Sequence, residues 1–280
     1  MIAHYNPALR VRENSTQVHN LSVGAVRYLN AKPLVCDLAN LLPEAKVAYD
    51  TPRALADQLG RGEIEVGLVP AIAYATLGGG SIVPDIAIAS KGPVLSVMLA
   101  SIKPFEEIAT LALDTSSCSS VTMAQVLCRE KYGITPELTH CRPDLTVLEG
   151  LADALVIIGD PAMTTRLENV PFTYDLGKEW TELTGLPFVY AFWMARSDGI
   201  SREICDALQE SKRRGMSQLT SIAEEESKRL GLPPSVCESY LRENISFELD
   251  DEAIAGMQHF FELCLKHHLI EQLPELRFCR

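Results

Sequence analysis

Two kinds of stretch alternate along this chain: short apolar runs rich in β-branched residues, and longer segments with an apolar stripe at helical spacing. The run at Leu21–Val26 predicts a buried strand; it breaks at Arg27–Asn30, and a helix is expected from Ala31 onward. A buried strand that turns directly into a helix brings side chains and free backbone N–H groups to the carboxyl edge of a sheet. Ligands bind at that edge in open α/β sheets, and helix N-termini there favour anions. Asn30 lies at the turn, where its amide can cap the helix or meet a ligand.

The same alternation continues. Lys46–Tyr49 predicts a strand, and Thr51-Pro52 then opens a helix that Gly62 ends, with threonine as cap and proline at the first helical position. Val66–Val69 predicts the next strand, Pro70 a turn into a helix near Tyr74, and Gly78–Gly80 a flexible turn. The nearly continuous apolar run Val94–Ala100 predicts a strand buried on both faces. A second αβ series follows: strand Leu111–Asp114, helix Val121–Lys131, strand Leu138–Cys141, helix Asp144–Leu151 and strand Ala154–Ile158. Phe188–Ala195 is a second long buried run. Helices are then expected at Arg202–Ala223, Glu224–Leu230, Pro234–Glu243 and Asp251–His267.

Recurrent βα units imply an α/β fold with mainly parallel sheets flanked by helices. Two internally similar halves, joined by two long buried runs, suggest two lobes. Residues 21–98 with 193–280 are expected to form the first lobe, and 99–192 a second lobe inserted into it. Residues 1–20 have polar and charged residues spread throughout, lack the apolar stretch of a secretory signal, and are expected to be a flexible extension.

Composition narrows the partners. The 280 residues carry a formal net charge of −12, which argues against nucleic acid as the main partner. No apolar run approaches the roughly 20 residues needed to span a bilayer, so a cytoplasmic protein without membrane insertion is expected. The 8 cysteines are scattered singly with no CxxC pair, which suits reduced thiols and not a disulfide framework or a zinc site. The sequence leaves the oligomeric state open.

The segment YLNAKPL at Tyr28–Leu34 resembles a signature of the chorismate dehydratase family, which serves the futalosine route to menaquinone. LALDTSSCSS, ADALVIIGDPAM and DLGKEWTELTGLPFVYAFW resemble further motifs of that family, in the same order. The resemblance runs from about Leu21 to the C-terminus. It implies a clamshell of the type II periplasmic binding protein architecture, with the site in the cleft. It also implies a lyase that removes water from chorismate to leave an enolpyruvyl ether of 3-hydroxybenzoate. Aromatisation drives that reaction without redox change, so no cofactor is implied. The partner is a small dianion with two carboxylates.

Residue by residue, the resemblance makes Asn30 and Ser96 the candidate catalytic pair, orienting the departing hydroxyl and stabilising charge on the ring. Ser96 is polar within an apolar run and must find a partner when buried. Five hydroxyls (Thr115, Ser116, Ser117, Ser119, Ser120) between a strand and a helix start can form an anion cradle, or simply cap the helix. Arg27 and Tyr28 beside Asn30, Asp160 after Ala154–Ile158, and Thr184-Gly185 in the last motif complete the expected substrate contacts. Asp160 precedes Pro161 and also reads as a helix cap. Trp180, Phe188, Tyr190 and Trp193 can wall a ring or be ordinary core aromatics. A nucleophilic Cys118 is not expected, since no covalent step is required.

No general base stands out among His140, His259, His267, His268, Asp153 and Asp160. One of the substrate's own carboxylates can take the ring proton, helped by high effective concentration. Two other readings remain open. One is the sibling dihydroxynaphthoate-forming enzyme, which shares the fold and needs a histidine base, here only His140. The other is a non-catalytic solute-binding protein of the same shape.

Overall fold

A computed structural model describes residues 21–196 and 200–279; the expected extension at 1–20 lies outside the described residues. The chain begins with β1 (Ser22–Val26), a 3-10 turn at Leu29–Ala31, and the short helices α1 (Lys32–Val35) and α2 (Leu38–Leu41). There follow β2 (Lys46–Asp50), α3 (Pro52–Arg61), β3 (Val66–Pro70), α4 (Ala71–Thr76) and β4 (Ser81–Ser90). The next series is β5 (Val97–Ser101), β6 (Thr110–Asp114), α5 (Ser119–Glu130), β7 (Glu137–Cys141), β8 (Ala154–Ile158), α6 (Asp160–Thr164), β9 (Phe172–Asp175) and α7 (Leu176–Thr184). The chain then returns through β10 (Phe188–Ala195) and ends in α8 (Arg202–Met216), α9 (Leu219–Leu230), α10 (Pro234–Ser239) and α11 (Asp251–Lys266).

Local chemistry sets these bounds. Thr51 Oγ1 accepts from the Ala54 amide at 3.4 Å, Pro52 occupies the first turn of α3, and Gly62 ends it at φ 72°, where a side chain would be strained. β3 is buried along its whole length, as a central strand covered on both faces must be.

Two five-stranded sheets form the two lobes, in the orders β2-β1-β3-β10-β4 and β7-β6-β8-β5-β9. Each is mainly parallel, as expected: four strands share one direction, and the fourth in the order lies antiparallel to both of its neighbours. The reversed strand is β10 in one sheet and β5 in the other, in each case the first strand after the chain crosses from the opposite lobe. Boundaries at 98/99 and 192/193 would cut through β5 and β10, yet each of these strands lies wholly in one sheet. The first crossing occupies residues 91–96, and the second follows α7 at residues 185–187.

The run Val94–Ala100 therefore splits. Strand geometry starts only at Val97; Leu95 sits at φ 61° with its side chain 42% exposed. One carboxylate holds that bend: Asp175 accepts from the amides of Val94 (2.9 Å), Leu95 (2.7 Å) and Lys178 (3.0 Å). The end of β9, the start of α7 and the first crossing are thus stapled together. The Thr181 hydroxyl accepts from the Gly92 amide at 2.8 Å and adds to the staple.

The C-terminal helices break elsewhere than the pattern suggests, at Ser217-Gln218 instead of Ala223-Glu224. α10 stops at Ser239 and continues as a π-helical turn, Tyr240–Asn244. The helix expected at Asp144–Leu151 is a single 3-10 turn, Leu145–Leu148. Trp180, Phe188 and Phe260 meet edge to face with centroids 4.9–5.9 Å apart, and with the buried Trp193 they belong to a core continuous through both lobes. Among the described residues, no helix is long and apolar enough to cross a membrane.

Candidate active site

The carboxyl ends of β1 and β3 face those of β6 and β8 across the cleft between the lobes. A small cavity lies there, lined from both lobes. Its walls come from Val26, Ile88, Ile158 and Tyr190, from Pro52 and Pro70 at two helix starts, and from polar groups on the turns.

Asn30 and Ser96 both border this cavity. Ser96 is 1% exposed, on the crossing just before β5, and its hydroxyl accepts from the Tyr240 hydroxyl at 2.8 Å. Asn30 follows β1 in the 3-10 turn. Its Oδ1 is buried with no hydrogen-bond partner, the condition expected of an acceptor waiting for a ligand. Burial pushes the Tyr240 phenol up in pKa, while Ser96 and the Asn30 amide beside it pull the other way.

Ser117, Cys118, Ser119 and Ser120 form the opposite wall at the start of α5, and the three serines are at most 5% exposed. Helix geometry leaves the first amides of α5 without intrahelical partners, and no side chain caps them. The Ser119 hydroxyl accepts from the Ile72 amide at 3.2 Å. Ser116 stands behind this wall, its amide and hydroxyl both donating to Asp114 Oδ1 at 2.8 and 2.7 Å. The second oxygen of Asp114 is buried without a partner, and burial pushes this carboxyl up in pKa. Burial raises the Cys118 thiol to about 11, which leaves it protonated and a poor nucleophile.

Three contacts hold the lobes closed over the cavity. Besides Ile72 to Ser119, the Arg53 amide donates to the Ser116 carbonyl at 3.0 Å, and the Leu29 amide to Asp160 Oδ1 at 2.8 Å. Each runs from a helix start of the first lobe to an acceptor of the second. Asp160 Oδ2 is 2.6 Å from Arg229, so both oxygens of this carboxylate are engaged. Next to it, the Tyr28 ring lies flat on Gly159; a Cβ there would come within 2.6 Å of the ring. Gly159 also sits at φ 66°, ψ −148°, a conformation suited to glycine alone.

Several expected contacts lie off the cavity wall. Arg27 and Thr115 are exposed, and Arg27 borders an outer groove with Asp160 and Arg229. Thr184 and Gly185 close α7: the Thr184 hydroxyl donates to the Trp180 carbonyl at 2.9 Å, and Gly185 is the left-handed cap at φ 72°. His140 is exposed on the edge strand β7. Asp153 receives the Lys103 ammonium at 2.7 Å and the amides of Ala109 and Thr110. Among the described residues, no histidine, aspartate or glutamate lines the cavity. Tyr240, Gly159 and Asp175 escape sequence reasoning. Only Asp175 had a local signal, as a cap before Leu176, where its side chain indeed accepts from Lys178.

Two sheets of matched order with a polar-edged cavity between them define the binding-protein-like clamshell. Solved structures agree on the fold. A protein of Archaeoglobus fulgidus superimposes with a TM-score of 0.73 at 16% identity, covering 90% of this chain and 99% of that one. The periplasmic aliphatic sulphonate binding protein of Escherichia coli gives 0.62 at 20%, covering 91% and 95%.

Within that fold, a family model described as menaquinone biosynthesis matches residues 21–266, and the chain belongs to this family. It is 31% identical over 261 residues to a chorismate dehydratase of Thermus thermophilus, covering 86% of this chain and 93% of the relative.

Proposed function

We propose that this protein is a carbon–oxygen lyase that removes water from chorismate in menaquinone biosynthesis, acting in the cytoplasm. Membership of the menaquinone biosynthesis family and the Thermus relative support the pathway and the reaction. The observation that carries the mechanism is the make-up of the cavity: hydroxyls, an amide and helix-start amides on an apolar wall, with no carboxylate or histidine among the described residues.

In this reading the first turn of α5, with Ser117, Ser119 and Ser120, receives a carboxylate of the substrate. Val26, Ile88, Ile158, Tyr28 and Tyr190 wall the ring. Asn30 and Ser96 meet the departing hydroxyl. The ring C–H bond breaks, its electrons enter the ring, and the C–O bond to the neighbouring hydroxyl breaks, so that one water leaves and the ring becomes aromatic. The enolpyruvyl carboxylate takes the proton, since no carboxylate or histidine on the wall can, and passes it to the departing hydroxyl, which leaves as water. An intramolecular base held in the right conformer reaches effective concentrations of about 10⁵ M or more. The reaction is redox-neutral and asks for no electron carrier.

Incubation with chorismate should remove its diene absorbance and yield an aromatic product; an unchanged spectrum refutes the reading. Turnover should show no titration at pH 6–7 of the kind an essential histidine gives. His140→Ala and Asp153→Asn should stay within an order of magnitude of wild type. A loss of about four orders in either would replace the substrate-assisted step with a side-chain base, the size seen when a catalytic group is removed. For His140 it would also restore the sibling-enzyme reading.

A further inference from the structure

We propose that Tyr240 is a positioning residue that sets the hydrogen-bond polarity of Ser96, so that the cavity offers one acceptor, Asn30 Oδ1, and one donor, Ser96, to a single ligand hydroxyl. The inference deepens the chorismate reading and rests on it.

Tyr240 is 1% exposed and does not border the cavity, so it acts only through its neighbours. A phenol has one proton, and here it is donated to Ser96 Oγ at 2.8 Å. Ser96 therefore keeps its own proton free. Among the described residues its hydroxyl has no second partner, and the cavity is the open side. On the same cavity wall, Asn30 Oδ1 is buried without a partner.

The site then shows a ligand one O–H donor, from Ser96, and one carbonyl acceptor, from Asn30. A hydroxyl uses both at once, donating to Oδ1 and accepting from Ser96. A carboxylate would leave Oδ1 unpaired, and an ammonium would leave the Ser96 proton unpaired. On chorismate the matching group is the hydroxyl that departs, and the Ser96 proton aimed at its oxygen favours its loss.

The surroundings hold Tyr240 in place. It is the first residue of the π-helical turn Tyr240–Asn244, a local widening of the kind often found at functional sites. At the far end of that turn, the Asn244 amide donates to the Pro93 carbonyl at 3.0 Å. Ser246 exchanges backbone bonds with Ala89 at 2.8 and 2.9 Å. The turn is thus tied to the end of β4 and to the first half of the crossing that carries Ser96.

Tyr240→Phe, Ser96→Ala and the double variant test this on the full chain with chorismate. Tyr240→Phe should lower kcat by at least about tenfold with KM within about threefold, as loss of transition-state orientation does. Adding it to Ser96→Ala should cost almost nothing more, because there is then no hydroxyl to orient. A wild-type kcat in Tyr240→Phe, a loss confined to melting temperature, or additive losses in the double variant would each overturn the inference alone. If Tyr240→Phe does not fold, the wild type decides. It should bind chorismate at least about tenfold tighter than the analogue lacking the departing hydroxyl, and equal affinity overturns the inference. A wild type that leaves chorismate untouched refutes the proposed function and this inference with it.

Discussion

The cavity wall and the inter-lobe crossing are built from the same residue types, yet they treat hydrogen-bonding capacity in opposite ways. Around the bend of the crossing the bonding groups are committed. Asp175 takes three backbone amides, Thr181 takes Gly92, and Ser90 bonds Tyr190 at 3.0 Å. On the cavity wall capacity is left open, at Asn30 Oδ1, at the Ser96 proton and at the first amides of α5. A satisfied network rigidifies, whereas a buried group without a partner costs about 1–3 kcal/mol unless a ligand supplies one. Polar composition alone does not mark a site; unspent valence does.

Five substitutions sharpen that contrast. The largest effect on turnover is expected for Asn30→Ala and Ser96→Ala, each about a hundredfold or more in kcat, or about 3 kcal/mol, with melting little changed. Near-normal turnover in both would move the chemistry elsewhere. Asp175→Ala should act in reverse, lowering stability by about 3 kcal/mol because several backbone amides lose a charged acceptor. Denaturant unfolding measures this, and turnover of the folded fraction should fall far less. Gly159→Ala should cost about 2 kcal/mol, since alanine is strained there and its methyl displaces the Tyr28 ring, and it should also raise KM. Unchanged KM would show that Tyr28 does not shape the cavity. Smallest of all, Thr184→Ala should keep kcat/KM within about twofold, as its hydroxyl only closes α7.

The readable parts of this molecule are those whose cause is local. The Thr51-Pro52…Gly62 pattern delimits α3 because cap, proline and left-handed glycine act within their own turn. The turn at Asn30 and the serines after Asp114 were found for the same reason: both follow a buried strand and start a helix. Val94–Ser96 misled because its apolar side chains look strand-like, while the bend is imposed by Asp175, some 80 residues away. The DLGKEW motif likewise suggested a pocket wall. Asp175 staples the crossing, Glu179 receives the Lys131 ammonium at 2.7 Å, and Trp180 fills the core. Tyr240 left no trace, because a tyrosine in a helical stretch gains its role only from a partner 144 positions earlier.

The matched strand orders also bear on how the chain reaches this shape. All five strands of the second sheet lie within Val97–Asp175, so that lobe has every partner it needs once this stretch has left the ribosome. The first sheet does not. Its β3 and β4 have no bond to each other and wait for β10, whose Phe192 pairs with Val69 and Ala87 across more than a hundred residues of chain. Until then β4 is an unpaired edge of ten residues, the kind of exposed ladder that invites wrong pairing. The inserted lobe can complete its sheet first, and the sheet of the first lobe is closed only by the strand that comes back from it.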